Sequence, residues 1–502
     1  MVVKPAYISH RTQEWASLTE FATGTQPEVA FGVVSGRRRQ GKTYLLRALA
    51  EELGGFYFEA TEGTDIELLR LFGMALGRHT GSPVGLPFAD WRDALTFMFS
   101  LPGERPTPLV IDEFPYLMKA NPALPSILKQ EIDLRGRTHR GTSNARVLIC
   151  GSALSVMGKV LSGQAPLRGR ARLELVVQPL TFREAAEFWG IADPRLAALV
   201  HSIVGGTPAY RDEFVASDVP RSLEDFDSWV VRTVLNRERP LFREGRYLLA
   251  EEADIRDPAL YHSVLSAIAT GHHTWGRIAG HIGYKSSDIA HPLHVLEDCG
   301  LVTKERDAFQ STSTCYRISE PIIAFYQAIM RPEWAALTTG HAEQVWDRAR
   351  ERFSSAIMGP HFETLCREFA SRHGEELFGA VGEVASGTVT EPGGRGRKER
   401  RIQVDVAVLS PAFANEPRAV RSLGEAKWGK VMGLRHLDRL RQAKDLLEAK
   451  GYDTGDTVLT CYSGNGFDDE LKAVAQEDPQ VLLVDLPALY GTTQPSCYSK
   501  ER

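Results

Sequence analysis

Eight consecutive residues, Gly36, Arg37, Arg38, Arg39, Gln40, Gly41, Lys42 and Thr43, fit the pattern G-x-x-x-x-G-K-S/T without a mismatch. These types at this spacing suit the holding of a triphosphate. The glycines let a tight turn aim backbone N–H groups at an anion, the lysine reaches the β- and γ-phosphates, and the hydroxyl takes a place on Mg²⁺. Asp112 and Glu113 stand downstream, closing the apolar run 108–111. Asp112 would hold Mg²⁺ through a water, and Glu113 would orient or deprotonate the attacking water. Ser152 follows another apolar run, 145–150. At the carboxyl end of a parallel strand its hydroxyl would face the γ-phosphate, or merely satisfy a local turn. Residues 36–43, with Asp112 and Ser152, are thus the expected nucleotide site, with Thr43 and Asp112 on the metal and Glu113 catalytic. Arg168, Arg170 and Arg172 are candidate γ-phosphate contacts, in cis or across a subunit interface, although sequence does not separate such arginines from solvated ones.

A second set of chemistry-bearing residues lies far downstream: Asp405 in the run 401–408, then Glu425 and Lys427 in the run 421–428. Strand alternation puts Glu425 and Lys427 on one face, toward Asp405 if the two strands are neighbours. Asp405 and Glu425 would ligate Mg²⁺ or Mn²⁺, hard cations that favour carboxylate oxygen. Glu363, on an amphipathic stretch at 362–369, would complete the metal shell. Lys427 would position or activate water and offset charge in the transition state of phosphodiester cleavage. Asp followed by Glu-x-Lys also recurs by accident in strands. Two features favour its use: polar residues in apolar strands are costly unless employed, and basic residues surround them. Residues 394–401 are the densest basic cluster of the chain, and Arg435, Arg439, Arg441, Gln442 and Lys444 give a second basic face. Both could grip a DNA backbone, with a solvated helix face as the plain reading of the latter.

The elements that must position these residues can be read from periodicity. The run 29–34 predicts a strand leading into the glycine-rich turn, and 44–52 predicts the helix after it. From about residue 29 to 177, strands alternate with helical stretches, which implies a parallel sheet with crossover helices. An amphipathic helix at 8–18 precedes it. After Phe182 the pattern becomes helical, with Gly205, Gly206, Thr207 and Pro208 interrupting it. Three helices at 260–269, 275–282 and 287–297, then strands at 300–306 and 313–318, read as a winged helix. Its third helix carries Asp288 and Glu297, and Pro292 inside it, which makes a poor phosphate reader. The expected division is 1–180 for the nucleotide domain, 181–256 for a helical lid, 257–334 for the winged helix, and 335–502 for the metal-dependent domain.

Composition sets outer bounds. A chain of 502 residues exceeds what one hydrophobic core organises. No apolar run approaches the ~20 residues of a membrane span, and residues 1–7 lack the apolar segment of a signal peptide. Six cysteines, at 150, 299, 315, 366, 461 and 497, are scattered without metal-site spacing and read as reduced thiols of a cytoplasmic protein. The net charge of −5 gives no global nucleic-acid footprint, so DNA contact must be local.

Together, Arg11 and Glu14, the 36–43 turn, Asp112–Glu113, Ser152, 205–208 and the phrase 316–326 resemble the archaeal-type P-loop ATPase family, which also occurs in bacteria. The run 359–368, with Asp405 and Gly424–Trp428, is similar to the PD-(D/E)xK nuclease-like domain that often follows it. Glu320 stands where that family usually has Asp. The resemblance implies a multi-domain α/β chain: an AAA+/STAND-like ATPase module with a helical lid, a winged helix and a restriction-endonuclease-like domain. It further implies ATP as the nucleotide and DNA as a partner; modules of this kind often form rings, which leaves a homo-oligomer open and the oligomeric state unread. The expected activity is ATP-dependent DNA processing with a metal-dependent nuclease; the alternative is a nucleotide-dependent switch or scaffold that binds without cleaving.

Overall fold

The computed structural model describes residues 2–26, 28–135, 143–250, 258–310, 312–391, 400–412 and 418–495. The basic residues 394–399, the expected lid boundary near 256 and Cys497 lie outside the described residues.

The first sheet comprises β1 (Ala30–Ser35), β2 (Phe56–Glu59), β3 (Thr107–Asp112), β4 (Ala145–Gly151) and β5 (Ala171–Val176). Its order is β2-β3-β4-β1-β5 and every pairing is parallel. Apolar and β-branched residues fill the central strands because helices cover both faces. One core gathers Phe56, Phe72, Ile111 and Ile149; another, on the opposite face, gathers Leu18, Val34, Leu46 and Leu148. The helix after β1, Lys42–Glu52, buries Leu45, Leu46, Ala48 and Leu49 against the sheet. β3, β4 and β1 are adjacent, so the residues after each of them meet at one edge. This adjacency positions the first site.

Beyond Phe182 the chain is helical up to a three-helix unit at Pro258–Ala269, Trp275–Ile282 and Ala290–Asp298. Two antiparallel strands follow, β6 (Val302–Arg306) and β7 (Thr314–Ile318). The expected helix at 287–297 is split into a short turn, Ser286–Ile289, and the helix from Ala290. Pro292 falls in the first turn of that helix, where a missing N–H costs nothing. The wing tip is occupied within the molecule. Ala308 donates to Ser386 O, Thr388 N to Asp307 Oδ1, and Gln310 Nε2 to Thr388 O. Phe309 meets the Tyr452 ring edge-on at 5.7 Å.

The second sheet contains β8 (Glu383–Glu391), β9 (Arg400–Leu409), β10 (Val420–Lys427), β11 (Val458–Ser463) and β12 (Val481–Asp485), in the order β12-β11-β10-β9-β8. The β8–β9 and β9–β10 pairings are antiparallel, and β10–β11 and β11–β12 are parallel. Helix Leu434–Ala449 supplies the crossover that a parallel β10–β11 pair requires. Its Leu437, Leu440, Ala443 and Leu447 pack on one face of the sheet. Helix Gly359–Phe378 packs against β8, β9 and β10. Its Phe362, Leu365, Cys366 and Phe369 share one continuous core with Trp229, Phe325 and Trp346 of the preceding helical region. One face of the second sheet therefore shares its core with the helical region before it, while the other face has a core of its own under Leu434–Ala449. The chain is α/β, with a parallel P-loop-type sheet and a second, mixed sheet.

Candidate functional site

The turn after β1 closes because two of its glycines do what other residues cannot. Gly36 has φ 146, and a Cβ there would lie 2.5 Å from Val177 O. Gly41 has φ 85 and starts the helix. Lys42 is buried, and its Nζ donates to Gly36 O and Arg37 O, both at 2.7 Å. Burial lowers its pKa, against the opposing pull of Cys150, Glu113 and Asp112. Thr43 Oγ1 donates to Asp112 Oδ2 at 2.8 Å. Two hard oxygen donors thus stand side by side at the helix N-terminus, a donor set that fits Mg²⁺. Glu113 holds a left-handed backbone, φ 51, and Ser152 Oγ lies 2.8 Å from its Oε1.

Gly41, Lys42, Thr43, Glu113 and Ser152 line a cavity of about 420 Å³ together with Tyr7, Ile8, Arg38, Phe188 and Pro208. Sequence reasoning missed several of its supports. Tyr57, on β2, donates to Asp112 Oδ2 at 2.9 Å; burial and then Asp112 raise its phenol pKa, so it remains a donor. Thr207 Oγ1 accepts from Gln40 Nε2 at 3.0 Å, which ties the Gly205–Pro208 motif to the phosphate turn. Arg11 donates to Gln40 O and Gln178 O. Arg39 pairs with the buried Glu244 at 2.7 Å, and Arg37 pairs with Glu320. The motif phrases held Arg11, Thr207 and Glu320; only Tyr57 and Glu244 left no signal. The candidate arginines downstream have local partners: Arg168 donates to Gly163 O, Arg170 pairs with Asp133, and Arg172 pairs with Glu28.

In the second sheet β9 and β10 are neighbours, and Gly424 registers with Val406. Asp405, Glu425 and Lys427 therefore meet. Lys427 Nζ lies 3.3 Å from Asp405 Oδ2 and 3.1 Å from Glu425 Oε1. Asp405 and Glu425 are 4% and 2% exposed. Burial alone would lower the Lys427 pKa; Asp405 and Glu425 outweigh it and raise it. Asp405 Oδ2 also accepts from Ala426 N at 3.0 Å, and Arg439 stands 3.8 Å from Glu425. The buried Glu425 Oε2 has no hydrogen-bond partner among the described residues. An orphaned carboxylate oxygen beside a second carboxylate suits a hard divalent cation. In this arrangement Lys427 is the counter-charge, and no cluster of three or more His, Cys, Asp or Glu among the described residues forms a ready metal cage.

Glu363 projects from helix Gly359–Phe378 toward this set. Burial, and then Asp405, raise its pKa to about 7. Arg317, from β7, lies 3.6 Å from Glu363, and Arg367 lies 3.9 Å from it. The sequence marks neither arginine: a short hairpin strand gives no hint that Arg317 faces Glu363, and Arg367 reads as one charge on an amphipathic helix. Arg435, Arg441 and Gln442 are exposed on the crossover helix, whereas Arg439 turns inward toward Glu425.

No family model matches the chain. An uncharacterized protein of Methanocaldococcus jannaschii is 28% identical over 364 residues, 72% of this chain and 76% of that protein. Among solved structures, the chain is similar to a Walker-type ATPase of Pyrococcus abyssi, with a TM-score of 0.49 and 20% identity over 64% of this chain and 96% of that one. It is also similar to the ORC2 protein of Aeropyrum pernix in its ADPNP–ADP complexes, with a TM-score of 0.37 and 16% identity over 69% and 98% of the two chains. For the ORC1 protein of Aeropyrum pernix in complex with DNA the TM-score is 0.32, at 17% identity over 66% and 95%. Among the described residues no helix is long and apolar enough to cross a membrane.

Proposed function

We propose that this chain is an ATP-hydrolysing DNA-processing protein, in which the nucleotide controls assembly or DNA loading and a second, metal-dependent site cleaves phosphodiesters. The convergence of Lys42, Thr43, Asp112, Glu113 and Ser152 at the carboxyl ends of adjacent parallel strands carries the first half. In this reading Lys42 leaves its two carbonyls for β- and γ-phosphate oxygens. Thr43 and Asp112 hold the Mg²⁺, which supplies neutralisation of charge on the phosphates. Glu113 takes the proton of the attacking water, with Ser152 Oγ holding its carboxylate in place. ATP is preferred to GTP because the chain lacks an N-K-x-D guanine motif.

The triad of Asp405, Glu425 and Lys427, in one hydrogen-bonded corner of a mixed sheet, supports the second half. Asp405, Glu425 and Glu363 would hold Mg²⁺ or Mn²⁺, which supplies Lewis-acid polarisation of the scissile phosphate. Lys427, kept protonated by its carboxylates, would orient water and stabilise the developing charge. The exposed Arg435 and Arg441 lie on the helix that follows, where a DNA backbone would pass.

The test is cleavage of plasmid, linear, single-stranded and branched DNA with Mg²⁺ or Mn²⁺, with and without ATP, by the wild type and Lys427→Ala. Metal-dependent cleavage that disappears in the variant, while ATPase remains, is the expected result. ATPase without cleavage of any substrate would instead select a nucleotide-dependent switch or scaffold that binds DNA or protein. Loss of ATPase in Lys427→Ala equal to that in Lys42→Ala would end the two-site reading.

A further inference from the structure

One short stretch of chain, Arg317 to Glu320, touches both sites. At one end Arg317 Nη2 lies 3.6 Å from Glu363, and its Nε donates to Glu305 at 2.9 Å. Arg367 lies 3.9 Å from both of these carboxylates and donates to Asp405 O at 3.2 Å. Three residues further on, Glu320 pairs with Arg37 of the phosphate turn. The carbonyl of that same Arg37 accepts from Lys42 Nζ at 2.7 Å. A path of polar contacts, bridged by the chain between Arg317 and Glu320, therefore runs from the lysine of the first site to the backbone of Asp405 in the second.

The path is stiff where it must transmit and poorly satisfied where it must switch. Ser319 N donates to Leu301 O at 3.0 Å, and Ser319 Oγ meets Thr303 Oγ1 at 3.0 Å, so the segment prolongs the two-stranded wing. The wing tip is fastened to β8 through Asp307, Ala308 and Gln310. Glu320 is 2% exposed, yet its Oε1 has no hydrogen-bond partner among the described residues. A buried carboxylate with one oxygen unsatisfied is costly, which favours an alternative arrangement within reach. Nucleotide loading supplies the trigger, because Lys42 must leave Arg37 O to reach a phosphate.

We propose that Arg317 and Glu320 are positioning residues that couple the two sites: nucleotide loading releases the Arg37–Glu320 pair and shifts Arg317 on Glu363, resetting the carboxylates of the second site. The coupling rests on the nucleotide reading above and is independent of cleavage. The coupling requires that both sites bias one two-state element, here the segment from Arg317 to Glu320.

The experiment uses the full chain with Mg²⁺ and a non-hydrolysable ATP analogue. Calorimetry measures binding, and hydrogen exchange is followed in Gly359–Phe378 and Arg400–Leu409. In the wild type, nucleotide should change exchange in Gly359–Phe378 by about fivefold or more. Glu320→Gln and Arg317→Gln should still bind nucleotide and lose that remote change, whereas Glu320→Asp should keep it. Wild-type binding with no change in that helix overturns the coupling, as does a full change in both Gln variants. The wild-type arm decides the matter even if a variant fails to fold. Absence of nucleotide binding by the wild type would overturn the nucleotide reading as well, so the two failures are distinct.

Discussion

Ser152 Oγ lies 2.8 Å and 3.1 Å from the two carboxylate oxygens of Glu113, and so holds that carboxylate. Glu113 also occupies a left-handed backbone, φ 51, a strain of roughly 1–3 kcal/mol that persists only where surrounding structure imposes it. In the proposed mechanism, these two constraints hold Glu113 ready at a defined point to act as base.

Glu113→Gln should therefore keep ATP binding and lower kcat by about 10²- to 10⁴-fold, the usual contribution of a positioned base. Ser152→Ala should lower kcat by roughly tenfold with KM unchanged, because it removes orientation alone. Steady-state ATPase assays check both. A Ser152→Ala effect confined to KM would move Ser152 from orienting the base to binding.

Gly36→Ala and Gly41→Ala separate steric from conformational constraint. At Gly36 both apply: φ 146 belongs to glycine, and the new Cβ would meet Val177 O at 2.5 Å. At Gly41 φ is 85, with nothing within 4 Å of a Cβ. Gly41→Ala should cost about 1–2 kcal/mol. Gly36→Ala should exceed about 3 kcal/mol and abolish nucleotide binding. Urea unfolding with calorimetric titration of ATP measures both, and equal losses would mean that Val177 yields.

The first site was legible because its chemistry is local: residues 36–43 form one turn, and Asp112 and Ser152 each follow an apolar run that becomes a strand. Period two placed Glu425 beside Lys427, and strand adjacency brought Asp405 to them. What stayed hidden was contact at long range. Nothing in Tyr57 marks it as the partner of Asp112, and nothing in β7 marks Arg317 as the neighbour of Glu363. β8, β11 and β12 were not foreseen, and β8 defines where the wing tip docks. The core that one face of the second sheet shares with the helices before it is likewise a property of packing between segments that each read as self-contained.

Lys427→Met tests the corner of the second sheet without relying on cleavage. It strands two carboxylates, Asp405 and Glu425, that are 4% and 2% exposed. Breaking a buried pair costs about 3–5 kcal/mol. Lys427 is itself 34% exposed, and solvent screening reduces the expected loss to about 2 kcal/mol. In a Lys42→Ala background, which removes the nucleotide site, Mn²⁺ should raise the melting temperature more for Lys427→Met than for Lys427. Identical melting with and without Mn²⁺ in both proteins would remove metal from this carboxylate set.

His201 Nδ1 and His361 Nε2 stand 2.9 Å apart in the wall of a cavity of about 710 Å³ bounded by lid, wing and helix Gly359–Phe378. One imidazole must donate and the other accept, so the contact cannot survive double protonation. Burial lowers both pKa values, that of His201 to about 4 and that of His361 well below the ordinary range. Unfolded histidine titrates near 6.5. As pH falls below that value the unfolded chain takes up protons that the folded chain does not, so stability is full above about pH 7.5 and declines toward pH 4. Each histidine contributes at most about 1.4 kcal/mol per pH unit across that window. His361→Phe keeps the ring volume and removes one of the two contributions, so its urea midpoint should fall less steeply between about pH 7 and 5 than that of the wild type. His262, lowered to about 4 by burial and then Arg331, leaves a residual slope in both proteins. Parallel slopes for His361→Phe and the wild type would show that the pair does not carry the acid sensitivity.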